Sequence, residues 1–191
     1  MAPDLVSPVD APEAYRRMLL GLLGDDDPVV VQAATVARLR ALAREAGSLV
    51  AVRPEPGEWS VVECLGHLVD GELVVAARAR WILAEDEPDI VGYDQDRWVD
   101  RLRHGEDDPG DLITLFDALR TANLRLWART PPTDRSRVGI HRERGPESYE
   151  LMTRLGAGHD RFHVAQAERA LTAVRVRSDG RAGAPASPTP R

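Results

Sequence analysis

Apolar residues recur along this chain at helical spacing, interrupted by short polar stretches rich in proline and glycine. From Asp10 to Leu23 the cluster Leu19, Leu20, Leu22 and Leu23 marks a short helix, with Asp10 as a candidate N-cap. Gly24 and the acidic run Asp25–Asp27 end it. Asp27 followed by Pro28 is a cap-then-proline start. The spacing of Val31, Ala34, Val36, Leu39 and Leu42 carries that helix to about Ala46, with Gly47 and Ser48 as its stop. A loop with two prolines fills residues 53–58. Ser60 and Glu63 then form a capping box behind Trp59, predicting a helix over 60–84.

Residues 85–105 break the pattern and read as an irregular connection with one helical turn around 96–101. A connection this long often covers a site. Asp108-Pro109 opens a further helix to about Arg129, stopped by Pro131-Pro132. Residues 133–144 read as a loop or short extended piece. Gly145-Pro146 is read as opening the last helix, from about Pro146 to Ala173. The pattern therefore predicts an all-α fold: a four-helix bundle with a short extra N-terminal helix, spanning 1–173. A tail at 174–191, rich in Gly, Pro, Ala and Ser towards its end, is expected to be disordered. There is no internal repeat and no sign of a second domain.

Composition narrows what such a bundle does. The net charge is −6 and there is no long basic run, which argues against nucleic acid as a partner. All 25 basic residues are arginine, so neither a Schiff-base lysine nor a P-loop lysine is available. A single cysteine, Cys64, excludes an internal disulfide. No stretch approaches the roughly 20 apolar residues that span a bilayer, and the N-terminus lacks a signal-peptide pattern. The expectation is a cytoplasmic protein with no membrane partner.

The candidate chemistry lies in histidines. His159 and His163 are four apart, so on a helix both rings leave one face, a turn apart. His67 sits mid-helix between apolar neighbours and is the best third donor from a facing helix. Three neutral imidazoles would leave a fourth coordination position open, the catalytic rather than the structural pattern. Against this stands the plainer reading of hydrogen-bonded helix histidines. Asp70 is the candidate to orient His67, since Glu63 is used by the capping box. Cys64, one turn before His67, reads as a small buried hydrophobe rather than a ligand. Asp160 reads as an inter-helix salt-bridge residue. Arg120, amid apolar neighbours, is expected to pair with an acid in the bundle or to contact an anionic substrate. Tyr93, Asp94, Arg97 and Trp98 are candidates to shape a cavity mouth, and His104 and His141 are expected to be exposed.

Two pieces, EWSVVECLGHLVDGE at 58–72 and GHDRFHVAQ at 158–166, resemble the DinB superfamily of DinB/YfiT-like metalloenzymes, and the similarity extends over roughly residues 12–172. The resemblance places His67, His159 and His163 on the family's metal-ligand positions. It implies a four-helix bundle with a long crossover, usually a homodimer, holding a divalent metal, zinc or nickel. It also implies a small-molecule substrate. Some relatives transfer low-molecular-weight thiols such as mycothiol or bacillithiol, and hydrolysis is a variant with the same ligands. The other reading is a non-catalytic metal-binding stress-response module.

Overall fold

The computed structural model describes residues 11–182, with side-chain surroundings through residue 178. Six helices are present among them: α1 (Pro12–Leu23), α2 (Pro28–Ala46), α3 (Val61–Ala84), α4 (Gln95–Leu102), α5 (Pro109–Arg129) and α6 (Tyr149–Ala182). Three short strands accompany them: β1 (Asp89–Ile90), β2 (Val138–His141) and β3 (Gly145–Ser148).

The caps explain where the long helices begin. The Asp27 side chain accepts from Val29 N–H, and Pro28 occupies the first turn of α2. At α3 both halves of the Ser60/Glu63 capping box are made. Asp108 accepts from the backbone N–H groups of Gly110 and Asp111 at α5. These three starts agree with the sequence reading. The expected cap of α1, Asp10, lies outside the described residues.

α2, α3, α5 and α6 form a closed ring in which α2 and α3 each pack against both α5 and α6. Consecutive helices α2 and α3 therefore sit mainly across the bundle from one another. α1 lies outside the ring against α6. One core unites Leu39, Leu42, Val62, Leu65, Leu68, Phe116 and Leu171 from all four ring helices. A second, around Ala79, Ile82, Ile90, Tyr149 and Met152, fills the end near the strands. Gly158 permits the α1–α6 contact, because a Cβ there would stand 2.1 Å from the Leu19 carbonyl oxygen.

Three expectations need correction. Residues 85–105 are more ordered than an irregular connection. Ile90 is fully buried, β1 pairs in parallel with β2, and Asp94 caps a two-turn α4. Gly145-Pro146 does not open the last helix. It belongs to β3, antiparallel to β2, and α6 begins at Tyr149. Gly145 adopts a left-handed conformation (φ 73°), and Pro146 is tolerated because β3 is an edge strand. Finally, α6 continues to Ala182, past the expected end at Ala173. The remainder of the expected disordered tail lies outside the described residues.

Among the described residues, no helix is long and apolar enough to cross a membrane.

Candidate metal centre

His67 comes from the buried face of α3, and His159 and His163 from successive turns of α6. Because α3 and α6 are ring neighbours, the three rings meet. His67 Nε2 lies 3.0 Å from His159 Nε2 and 3.2 Å from His163 Nε2. One donor nitrogen from each ring falls within 4.8 Å of the others, and no Cys, Asp or Glu completes the group among the described residues. Around a tetrahedral ion with bonds of about 2.0–2.1 Å, neighbouring nitrogens stand roughly 3.3 Å apart. The observed spacings are close to that value.

His67 and His163 are 1% exposed, while His159 is partly open. Burial holds His67 and His163 well below the ordinary imidazole range, and the neighbouring rings add to it. Burial and then the charge of Arg120 push His159 down to about 4. All three are therefore neutral at pH 7, the state in which an imidazole can donate a lone pair to a cation. His163 Nδ1 stands 2.8 Å from Gln166 Oε1. Since that oxygen only accepts, Nδ1 carries the proton and the Nε2 lone pair faces the other rings. His67 Nδ1 is buried with no partner. Trp59, 7% exposed, covers the cluster, lying 20° from coplanar with His163 at a centroid distance of 5.8 Å.

The supporting residues differ from expectation in several places. Asp70 does not orient His67. Its carboxylate accepts from His104 Nε2 at 2.9 Å, while His104 Nδ1 reaches Asp107 at 2.6 Å. His104 is buried, not exposed, and lies against Gly66, where any Cβ would collide with its ring. Burial pulls the His104 pKa down, but the bonds to Asp107 and Asp70 outweigh it and raise it overall. His141 is likewise buried, at 2% exposure. Cys64 is fully buried, its thiol pushed upward by desolvation, and it is not among the converging donors.

Arg120 and Asp160 behave as inter-helix partners. The Arg120 guanidinium bonds Asp160 at 2.5 and 3.0 Å and Glu72 at 2.8 Å. Thr35 donates to Asp160 at 2.7 Å and Asn123 to Glu72 at 2.7 Å. The network thus ties α2, α3, α5 and α6 together one residue away from His159.

A cavity of about 650 Å³ opens beside the trio. His67 and His159 form part of its wall, together with Tyr93, Arg78 and His141. Tyr93 stands over Gly71 beside the His159 ring, and its centroid lies 6.4 Å from that of His67. Burial holds the Tyr93 hydroxyl protonated far above pH 7. Trp98 packs on Tyr93 at 4.4 Å between centroids, Asp94 caps α4 at the rim, and Arg97 is exposed. Arg78 and His141 were not singled out from sequence as cavity residues. The available signal for Arg78 was its place eleven residues after His67, which returns to nearly the same helix face.

The model of the DinB superfamily matches residues 30–167. The chain belongs to the DinB superfamily. Among curated relatives, a protein of Oceanobacillus iheyensis is 27% identical over 57% of this chain and 63% of its own length. One of Bacillus mycoides is 25% identical over 63% of this chain and 67% of its own. Both bear the name "putative metal-dependent hydrolase". The chain spans about two thirds of the length of these relatives. Among solved structures, YfiT from Bacillus subtilis shares the fold, with a TM-score of 0.69, 18% identity and coverage of 93% of each chain. YfiT is described as "a probable metal-dependent hydrolase with an unusual four-helix bundle topology".

Proposed function

We propose that this DinB-family protein is a metal-dependent enzyme that hydrolyses a small molecule, with His67, His159 and His163 holding a divalent ion, zinc or nickel. The observation that carries the reading is the convergence of three neutral imidazoles, two buried and one partly open, beside a cavity, without a fourth protein donor among the described residues. The names of the relatives agree with it. When bound, such an ion supplies Lewis acidity and lowers the pKa of a water or thiol in its open position.

The protein's own residues would do the rest. Gln166 fixes the His163 tautomer. Trp59 and the bundle core exclude water from the far side of the trio. Tyr93, protonated and next to His159, is placed to donate a hydrogen bond to an oxygen that gains charge. Two carboxylates that line the cavity, Asp160 and Glu72, are held by Arg120 and do not serve as free bases.

A cavity of about 650 Å³ also has room for a low-molecular-weight thiol, so thiol transfer at the same site is the second reading. The test is turnover by chelated and by zinc- or nickel-loaded protein on a panel of esters and amides, with a parallel panel of thiols and electrophiles. Metal-dependent hydrolysis, lost in His163→Ala, supports the first reading. Metal-dependent product on the thiol panel alone supports the second. Silence on both, with metal bound, favours a non-catalytic metal-binding module.

A further inference from the structure

The cavity wall also holds an unusual charge. Arg78 is 8% exposed, and among the described residues no carboxylate lies within ion-pair distance of it. Its Nη2 donates to the Val91 carbonyl at 2.7 Å, and its Nε is buried with no partner. Its surroundings do not supply a spare anion. Glu147 is taken bidentately by Arg144 at 2.6 and 3.0 Å and is approached by Arg16 at 3.4 Å. Glu143 stands against His141 Nδ1 at 2.8 Å. His141 Nε2 is itself buried without a partner. A buried guanidinium with an unmet N–H is costly unless an anion completes it.

We propose that Arg78 is a subsite for an oxyanion, a carboxylate or phosphate group carried by the small-molecule substrate. A guanidinium presents paired N–H groups that match the two oxygens of such an anion. Arg78 lies eleven residues beyond His67 on α3, about 16 Å along the axis and within about 20° of the same face. Helical side chains lean towards the N-terminus, so Arg78 leans towards the histidines. The substrate therefore carries its anionic group at the end remote from the bond placed at the trio. Burial, then the nearby Arg144, lowers the Arg78 pKa, as expected for a cation awaiting a counter-charge.

The assignment of the reacting bond rests on the proposed metal site, but oxyanion binding does not. The experiment is calorimetric titration of the full chain, chelated and zinc-loaded, at low ionic strength, with glutarate, inorganic phosphate and neutral glutaramide. Wild type is expected to bind glutarate or phosphate in both metal states and not to bind glutaramide. Whichever anion binds more tightly identifies the carboxylate or phosphate source. Arg78→Gln and Arg78→Met should each weaken binding about tenfold or more. Arg78→Met should melt no lower than wild type without anion, because it removes an uncompensated charge.

Several results would overturn the subsite. One is no saturable binding of either anion at millimolar concentration. Another is equal binding by the Arg78 variants, with or without a loss of stability. A third is binding that needs zinc and disappears in His163→Ala but not in Arg78→Met, which assigns the anion to the metal and leaves the proposed activity standing. Anion binding that follows Arg78 while the protein turns over nothing rejects the activity and keeps the subsite.

Discussion

Arg120 shows how a single side chain can tie together the helices that carry the site. It is 3% exposed and faces two carboxylates, Asp160 and Glu72, that are themselves buried. Arg120→Met would leave both acids in the bundle without their counter-charge. Removing one partner of a buried pair costs about 3–5 kcal/mol. Urea denaturation of Arg120→Met should show a loss of that order, and a loss under about 1 kcal/mol would contradict the network's role. At this scale the sequence was partly legible. The i, i+4 histidines and the apolar surroundings of His67 and Arg120 are visible in a string of letters. The burial of His104 and His141 is not. His104 is made acceptable in the interior by Asp70, 34 residues earlier, and His141 sits at a cavity that only the fold creates. Asp70 failed as a partner for His67 for the same reason, since it was claimed by a more distant ring.

Among the elements, α1 and α6 touch through a glycine. A Cβ at Gly158 would meet the Leu19 backbone at 2.1 Å, and backbone cannot rotate away. Gly158→Ala should push α1 off α6 at a cost of about 1–3 kcal/mol. Gly21→Ala is the control. That site has nothing within 4 Å, so removing a helix-interior glycine should stabilise by up to about 1 kcal/mol. Equal thermal shifts in the two variants would contradict the close approach. Helix starts were legible because Asp27-Pro28, Ser60/Glu63 and Asp108-Pro109 satisfy their own first turns with local side chains. Gly145-Pro146 gave a similar local signal and misled. Its conformation is set by pairing with β2 and by the Arg144–Glu147 contact, not by the helix that begins at Tyr149. The length of α6 was underestimated because the segment past Ala173 has no apolar stripe to mark it.

For the whole molecule, the buried histidines link stability to pH. His67, His163, His159 and His141 all titrate below the ordinary value of 6.5, the last two at about 4. Below pH 6.5 the unfolded chain takes up protons at these rings and the folded one resists them. Their contribution is therefore fully present above 6.5 and is lost as pH falls towards about 4. His104, shifted upward, acts in the opposite sense: its contribution is present below 6.5 and is lost as pH rises through its folded value. Four rings outnumber one, so chelated protein should lose urea resistance steadily from pH 7 to pH 5. A flat or rising profile would contradict the neutral, desolvated trio. A homodimer, implied by family resemblance, is a further proposal that sedimentation can check.

The convergence of His67, His159 and His163 is the point on which the functional account turns. The most direct measurement is anomalous scattering from crystals of tag-free protein loaded with zinc, paired with elemental analysis of His163→Ala. The account predicts about one ion per chain, bonded to all three rings at about 2.0–2.1 Å, and its loss in the variant. Less than about one-tenth of an equivalent in the wild type, or an ion bound elsewhere with these rings uncoordinated, would contradict it.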